Sequence, residues 1–183
     1  IRSLSSILFR VLTCKLFYKL IEQVIVMNKS QLIAHRSKLC LEEKGNDIES
    51  FTRCLENGYG IETDIRDFNG DLYISHDIPR IKPELLFEEF LDILIEYDFA
   101  STLAINVKSC GCAKSISRLA PSLSKLKHFF FDMSLPDHLT YKDFNLSTAL
   151  RVSELEPYNL VTLKYFKSDW IWLDTLTKEY DNK

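Results

Sequence analysis

The sequence predicts an α/β fold: a parallel β/α barrel that stops short at its C-terminal end. Three observations carry this. From residue 29 onward, short apolar runs of strand character alternate with segments of helical character, which implies parallel strands with helices outside. No GxGxxG or GxxxxGK[ST] phosphate loop occurs, whereas an open sheet that binds nucleotides commonly carries one. Polar residues stand at the C-terminal end of nearly every apolar run: His35, Glu62 and Asp64, His76, Asn106 and Lys108, Asp132 and Ser134, Arg151, and Asp174. In a barrel those ends share one mouth. A complete barrel takes about 250 residues; the stretch after Met27 is much shorter, so the pattern runs out near a sixth strand.

The elements follow in order. Residues 1–26 are apolar, with Arg2, Arg10, Lys15 and Lys19 scattered among them. Leu8, Leu12, Leu16 and Leu20 recur at helical spacing, but no apolar run approaches the roughly 20 residues of a membrane span. A membrane-surface helix or targeting peptide is the less favoured reading. The favoured one takes 1–28 as an apolar extension outside the domain, because Met27 stands just before the first strand-like run, Leu32-Ile33-Ala34. Residues 29–183 are then the partial barrel domain.

Asp47 is an N-cap for a helix through Leu55, with Ile48, Phe51, Cys54 and Leu55 on one face. Gly58 and Gly60 end it. Tyr59–Ile65 is strand-like, Asn69-Gly70 signals a turn, and Leu72–Ser75 extends again to His76. Pro83 opens a helix to Tyr97 whose buried stripe is Leu86, Phe90, Ile93 and Leu94. Thr102–Val107 is a strand, and a helix over 112–120 meets Pro121, which ends or kinks it. His128–Phe131 is a strand, Pro136 opens a short helix, and Thr148–Val152 and Trp170–Leu173 are further strands.

The whole chain has 183 residues, 46% hydrophobic and 27% charged, with a net charge of −3. That is enough for one domain with its own core, and its mild acidity gives no reason to expect a nucleic-acid partner. The five cysteines are irregularly spaced. Cys110-Gly111-Cys112 is too tight for a usual disulfide and lacks the gap of a zinc knuckle. They read as free thiols in a reducing, cytoplasmic setting.

The chemistry concentrates between His35 and Asp77. Glu62 and Asp64 are two apart on a strand, so both leave the same face. Two carboxylates at one barrel mouth repel unless a cation joins them, and all-oxygen ligation favours Mg²⁺ or Ca²⁺. The plainer reading is a solvated strand end paired with Arg36 or Arg66. His35 and His76 titrate near neutrality, so one can act as base while the other acts as acid. Arg36 offers forked donors to a phosphate. Asn106 can give a neutral oxygen ligand, and Lys108 either offsets phosphate charge or is a surface lysine.

This ordered set resembles the glycerophosphodiester phosphodiesterase family of the PLC-like phosphodiesterase superfamily, which folds as a TIM barrel. The family's opening His-Arg matches His35-Arg36, its Glu-x-Asp matches Glu62 and Asp64, and its His-Asp matches His76-Asp77. Gly45-Asn46-Asp47 meets its Glu-Asn-Thr stretch in part. Asn106-Val107-Lys108 stands in place of its Glu-x-Lys. Phe131-Asp132-Met133-Ser134 and Trp172-Leu173-Asp174 resemble later strands. The resemblance spans roughly residues 30 to 175.

It implies metal-dependent hydrolysis of a small phosphodiester, such as a glycerophosphodiester or a lipid head group, in which a neighbouring hydroxyl of the substrate often attacks phosphorus. His35 and His76 would then be the acid-base pair, Arg36 and Lys108 the phosphate contacts, and Glu62, Asp64 and Asn106 the ligands of Mg²⁺ or Ca²⁺. Asn106 removes one negative charge relative to the family. No room is left between His76 and Asn106 for the small inserted domain of many members. The alternative is a barrel that binds a phosphorylated sugar or lipid head group without turnover.

Overall fold

A computed structural model describes residues 29–40, 42–157 and 159–176. The expected extension over 1–28, with its leucine spacing, lies outside the described residues.

Among the described residues seven strands are interleaved with helices, β2 and β3 alone following one another directly. The strands are β1 (Ile33–Ala34), β2 (Gly60–Phe68), β3 (Asp71–Ile74), β4 (Thr102–Val107), β5 (Lys127–Phe131), β6 (Ala149–Val152) and β7 (Trp170–Leu173). The helices are α1 (Ile48–Asn57), α2 (Phe87–Glu96), α3 (Ala113–Ser117), α4 (Ala120–Leu123), α5 (Leu135–Asp143) and α6 (Leu160–Phe166). β1, β2, β4 and β5 pair in parallel, in that order. β6 and β7 form a second parallel pair, joined to β5 by a single parallel bridge between Phe130 and Thr148. The parallel strands therefore stand side by side in chain order, as in a β/α barrel. The closed barrel itself is not seen: among the described residues the sheet is open, with β1 and β7 at its edges.

Two apolar layers hold it. Between sheet and helices lie Ile61, Ile65, Leu103, Ile105 and Phe130 against Phe51, Phe87, Phe90, Leu94, Ile116 and Tyr141. On the inner face, Ala104, Phe129, Phe131 and Ala149 meet Ile33, Trp170 and Trp172; Phe131 stacks on Trp172 with ring centroids 4.2 Å apart.

Several expectations shift, each for a local reason. β2 runs on to Phe68 because Ile65–Phe68 pairs with the hairpin strand β3 across the Asn69-Gly70 turn. β3 is thus antiparallel to its neighbour. The helix expected from Pro83 starts only at Phe87, since the preceding backbone is taken by β3: Ile74 N–H donates to Leu85 O at 3.0 Å, and Leu86 bridges to Tyr73. Its buried stripe is Phe87, Phe90, Leu91 and Leu94, with Leu86 and Ile93 half-buried. In α1 the Asp47 cap is reciprocal, Asp47 accepting from Ser50 N–H at 2.8 Å, but Ile48 is exposed rather than packed. Pro121 neither ends nor kinks a long helix; it sits in the first turn of the separate helix α4, where its missing N–H costs nothing.

Candidate functional site

The site is built at the ends of four neighbouring strands. In β2 the residues alternate, so Ile61 and Ile65 pack toward the helices while Glu62 and Asp64 turn to the other face, both only 1% exposed. Buried carboxylates need partners, and the neighbouring strand ends supply them.

The first partner comes from β1. Beyond Ala34 the chain turns sharply: Arg36 and Ser37 take left-handed φ of 51° and 56°. The turn aims the Arg36 N–H at Glu62 Oε2, 2.7 Å away, and brings His35 Nε2 to 3.9 Å from the same oxygen. The Arg36 side chain crosses to Asp64, with Nε 3.4 Å from Oδ2. The loop then doubles back, and Asn46 donates to Asp64 Oδ2 at 2.8 Å while accepting from Thr63 Oγ1 at 2.9 Å. Gly45 makes this return possible. Its φ is +72°, and a Cβ there would lie 2.6 Å from the Arg36 carbonyl oxygen.

From β4, Asn106 stands in register with Asp64. Its Oδ1 is buried and has no hydrogen-bond partner among the described residues. Lys108 is no surface lysine: its Nζ lies 3.3 Å from Asp64 Oδ1 and 3.6 Å from Asp132 Oδ2, and its side chain is 20% exposed. Asp132, at the end of β5, is held in turn by Arg151 from β6, and Arg151 is gripped by Glu156.

His76 reaches the site by the hairpin. Because β3 runs antiparallel, its end returns to the level of Asp64, where Ser75 N–H donates to Asp64 O at 3.0 Å. His76 Nδ1 is 2.8 Å from Asp77 Oδ1; a carboxylate there favours the tautomer with the proton on Nδ1, leaving Nε2 as acceptor. His76 lines a cavity of about 450 Å³ together with Arg36, Asn46 and Lys44. His35 is not part of that lining; it stands at Glu62 with its side chain 74% exposed.

The electrostatics follow from this packing. Burial, and then the neighbouring Asp64 charge, push the Glu62 carboxyl up to about 7. Partial desolvation beside the strand ends, and then the Arg36 guanidinium, lower the His35 imidazole below its ordinary value. The ion-pair network sets four carboxylates (Glu62, Asp64, Asp132 and Glu156) against three permanent cations (Arg36, Lys108 and Arg151).

The donor set bears on a metal. Among the described residues no three His, Cys, Asp or Glu side chains are grouped to hold an ion, so a site here needs the Asn106 amide as a third ligand. The residues fit that role: two buried carboxylates on one strand face, and an orphaned amide oxygen beside them. An all-oxygen set of this kind suits a hard divalent ion.

The structure thus joins Arg36, Glu62, Asp64, Asn106 and Lys108 in one cluster, with the two histidines at its margins. Asn46, Asp132, Arg151 and Glu156 were not singled out as site residues from sequence. Asn46 stood in the partial match to the family's Glu-Asn-Thr stretch, and Asp132 and Arg151 stood at strand ends, which were the signals available. Glu156 gave none, since its role depends on the loop after β6.

The sequence matches no family model and no curated protein significantly. The fold, by contrast, matches solved structures. A glycerophosphodiester phosphodiesterase from Agrobacterium tumefaciens superposes with a TM-score of 0.58 at 16% identity, over 78% of this chain and 75% of that one. A proposed glycerophosphodiester phosphodiesterase from Galdieria sulphuraria superposes with a TM-score of 0.60 at 17% identity, over 82% of this chain and 78% of that one. The chain shares their fold.

Proposed function

We propose that this chain is a phosphoric diester hydrolase of the glycerophosphodiester phosphodiesterase kind, on a TIM-type β/α fold, working in a reducing compartment such as the cytoplasm. The observation that carries the reading is the buried Glu62–Asp64 pair, met from adjacent strand ends by His35, Arg36, Asn106 and Lys108, in a fold shared with such enzymes.

Charge balance supports it. Four carboxylates against three cations leave the fully ionised network one negative charge. A divalent ion reverses that to one positive charge, which matches the single negative charge of a phosphodiester. Asn106 fits this arithmetic, because a glutamate there would leave the loaded site neutral.

Glu62, Asp64 and Asn106 would hold Mg²⁺ or Ca²⁺. When bound, the ion supplies Lewis-acid polarisation of the phosphate and eases deprotonation of the attacking hydroxyl. Arg36 and Lys108 orient the phosphate oxygens through charge-assisted hydrogen bonds. One histidine takes the proton of the attacking group and the other returns a proton to the leaving alkoxide. The Asp77 carboxylate holds His76 Nδ1, which leaves Nε2 as the nitrogen that would exchange the proton. Asn46 keeps Asp64 oriented.

The test is release of glycerol phosphate or a cyclic glycerophosphate from a glycerophosphodiester by the full chain, with Mg²⁺ or Ca²⁺ supplied. Turnover should fall by about 10²-fold or more in His35→Ala and His76→Ala, the usual scale of acid-base catalysis. Variants that keep full activity would end the assignment.

One observation favours a second reading. Asp64 already engages Arg36, Asn46 and Lys108, and Asn106 lacks a charge, so the chain could bind a phosphorylated sugar or lipid head group without turnover. Calorimetric titration of Mg²⁺ and Ca²⁺, with and without a diester, separates the two: ligand binding with no hydrolysis in either metal supports the binder.

A further inference from the structure

Two cavities flank the carboxylate cluster, and the proposed chemistry occupies one of them. The first, lined by Arg36 and His76, lies on the side of β1 and β3. The second, of about 560 Å³, lies on the side of β5 and β6, and residues of α5 and α6 complete its lining. Asp132 joins this second cavity to the cluster. Its Oδ2 is 3.6 Å from Lys108 Nζ, the proposed phosphate contact, while Asp132 and its partner Arg151 both line the cavity. A diester carries two arms on one phosphate. With the phosphate at Lys108, each cavity can take one arm.

The lining says which kind of arm the second cavity suits. One part is an ion-pair chain: Arg151 donates to Asp132 Oδ1 through Nη1, and to both carboxylate oxygens of Glu156 through Nε and Nη2. That uses three of the five guanidinium N–H groups and leaves two to donate. The carboxylates keep spare lone pairs to accept. Thr162 adds a hydroxyl with no partner among the described residues, and Asn159, whose Oδ1 caps α6, adds its amide Nδ2. The rest is largely aliphatic, including Met133, Leu150 and Val152.

An acyl chain here would strip water from the ion pairs and return no hydrogen bond. A cationic head group needs surplus negative charge, but Arg151 holds both carboxylates and Lys108 stands beside Asp132. Vicinal hydroxyls on an uncharged ring match the spare donors and acceptors together, and the ring's C–H face covers the aliphatic side chains.

We propose that the cavity between α5 and β6 is a subsite for an uncharged polyhydroxylated ring, a sugar or cyclitol, carried as one arm of the diester. Its place in the reaction rests on the phosphodiesterase reading; the cavity's own affinity for such a ring does not.

Met133 is one of two methionines in the chain and lines the cavity. Its carbon-13 methyl signal in the full chain, assigned by its loss in Met133→Leu, reports on the subsite without turnover. myo-Inositol or methyl α-glucopyranoside should shift it saturably, with half-saturation at about 1–10 mM, the scale of a small arm deprived of its phosphate. Which of the two acts distinguishes cyclitol from sugar. Choline should leave the signal in place. Thr162→Val, which removes one hydroxyl at nearly constant shape, should weaken the titration about three- to tenfold. A signal that neither polyol moves, or that choline moves equally, overturns the subsite.

Kinetics with Mg²⁺ or Ca²⁺ then tie the subsite to the reaction. kcat/KM should favour sn-glycero-3-phosphoinositol over sn-glycero-3-phosphocholine by about tenfold or more, and Thr162→Val should narrow that ratio by the factor it costs the titration. Equal kcat/KM for the two diesters, or a ratio that Thr162→Val leaves unchanged, overturns the assignment of the cavity to an arm of the diester. A saturable Met133 shift with hydrolysis of no diester overturns the phosphodiesterase reading and leaves the subsite standing.

Discussion

Gly45 and Gly58 offer a matched pair that measures what the Arg36–Asn46 loop is worth. Both have φ of +72°, so an alanine at either meets the same backbone strain. At Gly58, the C-cap of α1, a new Cβ would have nothing within 4 Å. Gly58→Ala should therefore cost only the left-handed conformation, about 1–2 kcal/mol. At Gly45 the Cβ would lie 2.6 Å from both the Arg36 carbonyl oxygen and Lys38 Cγ. The lysine can swing aside, but the carbonyl is backbone and accepts the Asn46 N–H at 2.9 Å. Moving it strains or breaks that bond, worth about 1 kcal/mol net. It also pulls Asn46 off Asp64, a charge-assisted hydrogen bond worth about 1.5–3 kcal/mol. Gly45→Ala should thus destabilise by about 3–5 kcal/mol in total, summing those terms with partial relaxation. The assay is urea unfolding of both variants beside the wild type, comparing midpoints at constant slope. Equal losses at the two positions would refute the claim that this close approach builds the site.

Other outcomes follow from the same packing. Glu62 has a folded pKa raised to about 7 from 4.5, so its contribution is full below 4.5 and lost as pH rises through 7. Glu62→Gln should flatten stability across that window, read by urea unfolding at several pH values. His128 and His138 behave oppositely: burial lowers both below 6.5, so the unfolded chain takes up protons first. Stability should fall as pH drops below 6.5, and less steeply in His138→Gln. Phe131→Ala should cost about 3–5 kcal/mol and red-shift tryptophan emission, since the chain's two tryptophans both line the inner face beside Phe131 and Phe129. Tyr141→Phe should be neutral or stabilising by up to about 1 kcal/mol, because the buried hydroxyl has no partner among the described residues; thermal melting decides it.

The fold was legible where local signals and burial agree. Asp47 with Ser50 fixes the start of α1, and the alternation Ile61-Glu62-Thr63-Asp64-Ile65 fixes both the strand and the side its carboxylates take. It was illegible where a distant backbone decides. Nothing around Pro83 says that Leu85 and Leu86 will be captured by β3, which delays the helix to Phe87. Helix α6 was missed although its cap was in the sequence: Asn159 Oδ1 accepts from the N–H groups of Val161 and Thr162 at 2.8 and 3.4 Å. The run behind it mixes β-branched and aromatic residues of weak helix preference. In the site, strand-end position brings the carboxylates and Lys108 to one place, but spacing alone cannot tell that Lys108 is shared between Asp64 and Asp132.

That sharing bears on the substitution that most separates this chain from the family it resembles. A glutamate at 106 would stand in register with Asp64 and crowd a third carboxylate against Glu62, whose proton affinity burial and Asp64 already raise. Asn106 avoids that crowding. Asp132 meanwhile supplies a carboxylate one strand further along, kept at a distance by Lys108 and secured by Arg151. Negative charge is thus moved sideways along the strand ends rather than lost, away from the pair that would hold an ion and toward the cation that would face the phosphate. Asn106→Glu should therefore raise affinity for a divalent ion while lowering stability without one, and calorimetry with paired unfolding measurements reads both changes. A gain in affinity with no loss of metal-free stability would mean that position 106 does not face the carboxylate pair.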